Sequence, residues 1–376
     1  MTPLDLRADI PALEDAVYLN TGASGPSPRR VVTAAETFLE HHEFEAPTAE
    51  GMYTAAFDAY DDVRATVAEF LGAEPSEIAL TQSTTDGINR VACALEWTTD
   101  DVVVRTDLEH PAGILPWQRL ERTRGIDVRV VGSDAGRLDI DAYRAAVEDA
   151  KLVCVSSLTW NYGTRLPIET LVDIAHDAGA LVLVDAVQSV GQTSVDVHEW
   201  GADIVAAAGH KWLLGTWGAG FLYVSDDVID TLNPRTIGYR GVVTPTDETY
   251  EFEPGARRFE IGTTNPAPYV ALQTAIETLD EIGLGTVESR IQQLTTRLVN
   301  GVPDDRLLSP TSPESGLVTI DVDDPSTTVD LLKEANIVIR SLPDPDAIRA
   351  SIHVFNTQED IETLLPSSRT RGDSAP

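Results

Sequence analysis

Short apolar runs recur along the chain and alternate with longer segments of mixed polarity. They are rich in valine, isoleucine, leucine and alanine, a composition typical of strands that are buried on both faces of a sheet. The runs that we interpret as strands are residues 78–81, 102–105, 127–132, 152–157, 181–185, 203–208 and 220–224. Strands that alternate with helices predict an α/β domain, here with a mainly parallel seven-stranded sheet covered by helices on both faces.

The length and composition of the chain allow more than one domain. The chain has 376 residues, of which 42% are hydrophobic, so it can bury a sizeable core. We predict a large ligand-binding domain at residues 15–255 and a smaller α+β domain at residues 256–366, with residues 1–14 packed near it. The last segment, residues 367–376, is predicted to be a disordered tail.

Three features of the sequence favour a cytoplasmic protein. No apolar run reaches the roughly 18 residues of a transmembrane helix. The N-terminal segment lacks the basic and apolar regions of a signal peptide. The two cysteines, Cys93 and Cys154, lie in apolar contexts typical of a core. We therefore expect a cytoplasmic location, no disulfide bonds and no membrane partner.

The chain is strongly acidic. Its formal net charge is −34 at pH 7, and the acidic residues are spread along the whole sequence. Arginine outnumbers lysine by 24 to three. An acidic surface with so few lysines indicates adaptation to a high-salt cytoplasm, the alternative being an ordinary acidic protein. Both interpretations make nucleic acid and anionic membranes poor partners.

If the acidic surface is a high-salt adaptation, we expect the protein to lose its structure when molar salt is removed. Molar salt shortens the Debye length to about 3 Å and so screens the repulsion between surface carboxylates. Loss of far-ultraviolet circular dichroism on dialysis into dilute buffer would show this dependence. Full stability in dilute buffer would instead support the ordinary acidic protein.

Two residues carry the first candidate chemistry. Lys211 follows the apolar run 203–208, and a buried lysine can form a Schiff base, which arginine cannot. Asp185 ends the run 181–185, at the edge of the sheet where open α/β proteins bind ligands. A Schiff-base lysine and an aspartate that pairs with a pyridine nitrogen suit pyridoxal phosphate. The alternatives are an exposed lysine and an aspartate that only caps a helix.

Six segments, in this order, resemble one known family. They are YLNTGASGP (18–26), LTQSTTDGIN (80–89), TDLEHPAGILPWQ (106–118), the stretch 181–224, RRFEIGTTNP (257–266) and IRASIHVFNTQEDI (348–361). Over roughly residues 15–365 the chain resembles the class V, cysteine desulfurase-like aminotransferases, which are fold-type I pyridoxal phosphate enzymes. Its acidity is similar to that of a haloarchaeal member. The resemblance implies a fold-type I α/β architecture, a homodimer and an amino-acid substrate.

The resemblance also implies a set of site residues. The catalytic residues would be Lys211, Asp185 and His110. The cofactor-binding residues would be Thr84, Thr85, His110, Asp185, Gln188, His210, Lys211 and Thr263. The substrate-binding residues would be Arg349, Arg340 and Asn20, and no metal site is expected.

The resemblance places His210 at the phosphate and gives four further residues a specific role. His110 would lie flat against the pyridine ring, and Gln188 would hydrogen-bond the phenolic oxygen of the cofactor. Thr263 would reach the cofactor of the neighbouring subunit. Arg349 would bind the substrate carboxylate, because a guanidinium matches a carboxylate with two parallel hydrogen bonds.

The chain departs from the family pattern at three places. Ala208 stands where the family has a hydroxyl residue that binds the phosphate. Trp160 stands where the family has an asparagine near the phenolic oxygen, and Asn161 is adjacent to it. The connection 341–348 contains no cysteine, although desulfurases carry their nucleophilic cysteine there.

The missing cysteine shapes the expected reaction. Persulfide chemistry has no evident nucleophile, so we expect transamination at the Cα of an amino acid. The alternatives are a cysteine desulfurase or selenocysteine lyase type of activity, epimerisation of an amino acid, and a non-catalytic protein of the same fold.

Overall fold

The computed structural model describes residues 1–367. The α-helices of this range are α1 (Pro3–Ala8), α2 (Arg29–Glu40), α3 (Met52–Leu71), α4 (Thr84–Ala94), α5 (Leu115–Arg124), α6 (Ile140–Ala146), α7 (Ile168–Asp177), α8 (Val197–Trp200), α9 (Ala267–Ile282), α10 (Leu284–Gly301), α11 (Pro325–Glu334) and α12 (Gln358–Ser367). The strands are β1 (Val17–Tyr18), β2 (Ile78–Thr81), β3 (Val102–Thr106), β4 (Asp127–Val131), β5 (Ser133–Asp134), β6 (Arg137–Leu138), β7 (Leu152–Ser156), β8 (Leu181–Asp185), β9 (Ile204–Ala208), β10 (Gly220–Val224), β11 (Leu317–Ile320), β12 (Ile337–Val338), β13 (Arg340–Pro343) and β14 (Asp346–Ser351). The predicted tail, 367–376, lies outside the described residues except for its first position.

The large sheet has the order β2-β10-β9-β8-β7-β3-β4. All neighbours are parallel except β10, which runs antiparallel to both β2 and β9. The α/β fold with its mainly parallel seven-stranded sheet is therefore confirmed, and each strand lies within one residue of its predicted bounds. Length and β-branched content distinguished these runs from helices, because each run is too short for a helix and is bounded by turn residues.

Both faces of the large sheet are buried. Along β8, Val182 and Val184 belong to one apolar cluster, whereas Leu183 between them belongs to another. Successive side chains of a strand point to opposite faces, so the sheet separates two cores. This explains why the strands read as continuous apolar runs rather than as alternating ones.

The sheet order decides which loops meet at the carboxyl ends of the strands. Asp185 ends β8 and pairs in register with Ser156 at the end of β7. Lys211 follows β9 on one side of β8, and α4 follows β2 farther out on that same side. The loops after β7 and β3 lie on the opposite side of β8. The point between these two groups of loops is where an open α/β sheet binds its ligand.

A second, antiparallel sheet lies towards the C-terminus, with the order β11-β14-β13. Its apolar face packs with residues of α10, α11 and α12 in a separate cluster. Arg340 and Arg349 lie opposite each other on β13 and β14. Asn20 bridges to Ser351 at the end of β14, and Arg7 of α1 pairs with Asp360 of α12 at 2.8 Å. The domain bounds remain a prediction.

The described helices include none that combines the length and the low polarity needed to cross a membrane.

Candidate functional site

A cavity of about 170 Å³ lies at the carboxyl ends of β8 and β9. Its lining is Gly22, Ala23, Ser83, Thr84, Thr85, His110, Ala112, Trp160, Asp185, Val187, Gln188, His210, Lys211, Arg340 and Arg349. Nine of the predicted site residues thus meet in one place, although they are spread over most of the sequence. Asn20 and Thr263 do not line this cavity.

Lys211 and Asp185 both line this cavity, and each charge affects the pKa of the other residue. Burial lowers the pKa of Lys211 to about 8, an effect that the nearby Asp185 opposes. Burial raises the pKa of Asp185, against the hydrogen bond that its Oδ1 accepts from the Val187 amide at 3.0 Å. Within residues 1–367 Asp185 forms no ion pair at salt-bridge distance. A buried carboxylate that has no ion pair is stabilised when a ligand brings a cation or an N–H donor next to it.

The N-terminus of α4 opens onto the same cavity. Ser83 is the N-cap, and its hydroxyl accepts a hydrogen bond from the Asp86 amide at 3.1 Å. The next residue, Thr84, is 6% exposed, and its hydroxyl is buried without a hydrogen-bond partner. A helix N-terminus presents free N–H groups and a positive dipole end, so this corner can bind a phosphate.

Both histidines of the cavity are held in the neutral form. Burial and the charge of Lys211 lower the pKa of His110 to about 4, and they have the same effect on His210. Nδ1 of His110 accepts a hydrogen bond from the Ala112 amide at 3.2 Å, which leaves its proton on Nε2. A neutral imidazole can lie against an aromatic ring without adding a charge to the site.

Gln188 is fixed on both sides of its amide group. Nε2 donates to the Gly22 carbonyl at 2.9 Å, and Oε1 accepts from the Trp212 indole at 2.8 Å. These bonds assign the orientation of the amide and leave one of its two N–H groups unused. A Cβ at position 22 would lie 2.7 Å from Leu317 and 2.9 Å from Nη2 of Arg349, so a larger residue would displace these side chains.

Two arginines line the cavity, and neither has a carboxylate partner among the described residues. Arg349 is fully buried, and its Nη1 donates to the Trp160 carbonyl at 2.6 Å. Its Nε and Nη2 are buried and unpartnered. Burial and the charge of Arg340 lower the pKa of Arg349. Two unpartnered nitrogen donors on a buried cation favour an anionic partner, and a carboxylate fits them best.

Glu109 lies behind the cavity and was not predicted as a site residue. Its carboxylate accepts hydrogen bonds from the hydroxyl of Thr106 at 2.7 Å and from the hydroxyl of Ser156 at 2.6 Å. It thereby joins the ends of β3 and β7, and burial raises its pKa to about 7. The residue just before His110 thus fixes the loop on which that histidine lies.

Sequence reasoning also missed the contributions of Ser83, Gly22 and Trp212. Ser83 had a readable signal, because a serine three residues before an aspartate at a strand-to-helix junction indicates an N-cap. Trp212, which follows Lys211 directly, had no such signal, since its contact with Gln188 depends on the packing of the loop.

The cavity contains no cysteine. Cys154 is buried within β7 as expected, whereas Cys93 is exposed on α4 and the expectation of a core position was wrong for it; neither thiol belongs to the cavity lining. No group of three or more histidine, cysteine or acidic residues within 1–367 is arranged to hold a metal ion.

The unpartnered groups fit pyridoxal phosphate. Thr84 at the helix N-terminus suits a phosphate, Asp185 suits a pyridinium N–H, and Lys211 with its lowered pKa suits a carbonyl carbon. The free N–H groups of Arg349 remain for the carboxylate of an amino acid.

Known proteins resemble this chain over nearly its whole length. The family model described as aminotransferase class V matches residues 17–364. The chain is 36% identical to a probable cysteine desulfurase of Methanothermobacter thermautotrophicus, over 96% of each protein.

Solved structures agree in fold. The apo structure of a cysteine desulfurase from Thermococcus onnurineus is similar with a TM-score of 0.89 and 31% identity, over 97% of each chain. The cystine C–S lyase C-DES, solved in complex with its reaction product cysteine persulfide, is similar with a TM-score of 0.91 and 28% identity. That similarity covers 96% of this chain and all of C-DES.

Proposed function

The chain belongs to the class V aminotransferase family of pyridoxal phosphate enzymes, and within it we propose that the protein cleaves the Cβ–S bond of a cysteine-type amino acid. The observation that carries the proposal is a site with a lysine, a carboxylate-binding arginine and no thiol. Its relatives include a probable cysteine desulfurase and a cystine C–S lyase. Transamination, which we expected from the sequence, has no counterpart in the names of these relatives.

The residues of the cavity support this chemistry. When bound, pyridoxal phosphate supplies an electron-withdrawing ring that stabilises negative charge at the Cα of the substrate. Lys211, whose pKa burial lowers to about 8, takes the proton from Cα. Asp185 holds a proton on the pyridine nitrogen, and Arg349 orients the substrate through its carboxylate.

The absence of a thiol from the site favours a substrate that carries its own leaving sulfur. We propose L-cystine as that substrate, because cleavage of one Cβ–S bond lets the second cysteine leave with both sulfur atoms. The balanced reaction is cystine plus water to pyruvate, ammonia and cysteine persulfide. No cysteine of the protein accepts sulfur in this reaction.

The products distinguish the candidate reactions. We expect the holoenzyme to release pyruvate and persulfide from L-cystine, and a variant carrying both Cys93→Ser and Cys154→Ala to retain this activity. Alanine formed from L-cysteine, and lost in that variant, would instead establish a desulfurase that uses a protein thiol. Amino transfer from the substrate to an added keto acid would establish transamination.

Thr84→Val tests whether the N-terminus of α4 binds the phosphate of the cofactor. The hydroxyl of Thr84 has no partner within the protein, so we expect its loss to weaken the binding of pyridoxal phosphate about 5- to 15-fold, the effect of one hydrogen bond. Titration of the apoenzyme, followed by the quenching of tryptophan fluorescence, measures the dissociation constant.

Thr295→Val is the matched control. Thr295 also has a buried, unpartnered hydroxyl, but it lies on α10, outside the cavity. Its substitution should leave cofactor affinity unchanged. Equal affinities for wild type and Thr84→Val would contradict the assignment of the phosphate to this corner.

A homodimer remains part of the proposal. Thr263 lines a different cavity of about 450 Å³, together with Arg240 and Glu260. Its position away from Lys211 of its own chain is consistent with a contribution to a neighbouring site. Sedimentation of the holoenzyme would test this, because a monomer with a full complement of cofactor would contradict the assignment.

A further inference from the structure

Trp160 lines the cavity of Lys211 and carries an unsatisfied hydrogen-bond donor. The residue lies four positions after the end of β7 and lines the cavity, and its indole Nε1 is buried without a hydrogen-bond partner. The N–H of a buried tryptophan usually finds an acceptor. Since the described residues supply none, we look for the acceptor in the ligand.

The position of Trp160 is fixed by two other site residues. Its carbonyl accepts the hydrogen bond from Nη1 of Arg349 at 2.6 Å. Its indole ring meets the ring of His110 edge to face, with 5.4 Å between the ring centroids and an interplanar angle of 89°. The donor is therefore held in place before a ligand arrives.

The neighbouring Asn161 points elsewhere. Its side-chain Nδ2 donates to the main-chain carbonyl of Asp344 at 3.4 Å. Its main-chain carbonyl accepts a hydrogen bond from the hydroxyl of Thr319. Asn161 does not line the cavity. Of these two adjacent residues, only Trp160 can reach a bound ligand with its side chain.

The sheet order indicates which part of the cofactor lies near Trp160. The phosphate corner on α4 and Lys211 are both on the β9 side of β8, whereas Trp160 is on the β7 side. In pyridoxal phosphate, the phosphate arm and the phenolic oxygen flank the aldehyde carbon on opposite sides. With the phosphate at α4 and the ring nitrogen at Asp185, the phenolic oxygen faces the β7 side.

We propose that the indole N–H of Trp160 donates a hydrogen bond to the phenolic oxygen of pyridoxal phosphate. Gln188 is another donor of the cavity lining, with one N–H already bonded to Gly22. The proposal depends on the cofactor but not on the reaction catalysed, so its test needs no substrate. It assigns Trp160 as a residue that tunes the proton affinity of the bound cofactor.

The test is the pH dependence of the visible absorbance of the resting holoenzyme. A donor to the phenolic oxygen stabilises the deprotonated chromophore, so its loss makes the chromophore hold its proton to higher pH. We expect Trp160→Phe to raise the pH midpoint by roughly half to one unit, the effect of one hydrogen bond. An unchanged or lowered midpoint would overturn the proposal.

Two controls accompany this variant. Asn161→Ala should keep the wild-type midpoint, because Asn161 lies outside the cavity lining. Trp97→Phe also removes an indole N–H, one that donates to the Ala92 carbonyl at 2.7 Å outside the cavity lining, and it should keep the midpoint too. A shift of equal size in either control would overturn the specific assignment to Trp160.

A measurement on the wild-type protein covers the case in which Trp160→Phe does not fold. Ultraviolet resonance Raman spectra contain an indole N–H band that reports hydrogen bonding. We expect one tryptophan of the six to gain a hydrogen bond when apoenzyme binds pyridoxal phosphate. No change in that band on formation of the holoenzyme would overturn the proposal.

Discussion

Lys211→Ala is expected to abolish turnover, by at least about 10³-fold, and to replace the absorbance of the lysine-linked cofactor by that of unlinked pyridoxal phosphate. The lysine is expected both to form the covalent link to the cofactor and to take the Cα proton, and positioned acid–base groups alone contribute about 10²–10⁴-fold. Turnover assays with L-cystine and absorbance spectra of the purified variant measure the two effects.

The pH dependence of cofactor capture tests the same residue in the wild type. Only the neutral amine attacks a carbonyl group, and burial lowers the pKa of Lys211 from 10.5 to about 8. The rate at which apoenzyme captures pyridoxal phosphate should therefore rise with pH and level off above about 8. An ordinary exposed lysine would give a rate that keeps rising towards pH 10.

Lys333→Ala is the matched control for both experiments. Lys333 is an exposed residue in the last turn of α11, outside the cavity. Its substitution should change neither the spectrum nor the turnover. Retention of turnover by Lys211→Ala would remove Lys211 from the chemistry altogether.

Arg349→Lys is expected to lower kcat/KM for L-cystine by about 10²–10³-fold while the cofactor stays bound. The charge is kept, but a lysine cannot place two parallel N–H groups on a carboxylate. It also loses the bond from Nη1 to the carbonyl of Trp160. Hydrogen bonds to charged groups contribute about 1.5–3 kcal/mol each, which gives the expected range.

The control for the arginine is Arg306→Lys. Arg306 lies at the surface, where it pairs with Asp321 and Asp323, and such exposed pairs contribute little to stability. Its substitution should leave kcat/KM unchanged. If Arg349→Lys kept full kcat/KM, the substrate carboxylate would have to bind elsewhere, and Arg340 would be the next candidate.

Much of the fold could be predicted from the sequence because strand burial leaves a local signal. The run 181–185 is apolar up to its final aspartate, and β8 has those bounds. The antiparallel direction of β10 leaves no signal within the strand itself, because the apolar pattern of a strand is the same in both directions. It depends on the short connection from β9 through the loop of Lys211.

For the site, the sequence predicted chemically distinctive residues but not the contacts that hold them. Lys211 and Asp185 could be identified because their residue types allow few chemical roles at those positions. The acceptors of Gln188 could not be predicted, because Gly22 and Trp212 reach it only after the loops fold together. The structure also distinguishes Trp160 from Asn161, a choice that the sequence left open.

The unpaired arginines of the cavity have a kinetic consequence for a protein of net charge −34. An anionic ligand such as pyridoxal phosphate meets a repulsive long-range field before it reaches the attraction of Arg340 and Arg349. At about 0.1 M ionic strength the field extends roughly 10 Å, whereas at 1 M it extends only about 3 Å. Added salt should therefore speed the diffusional encounter much more than it weakens the buried contacts, so that arrival of the anionic ligand, rather than its retention, responds to ionic strength.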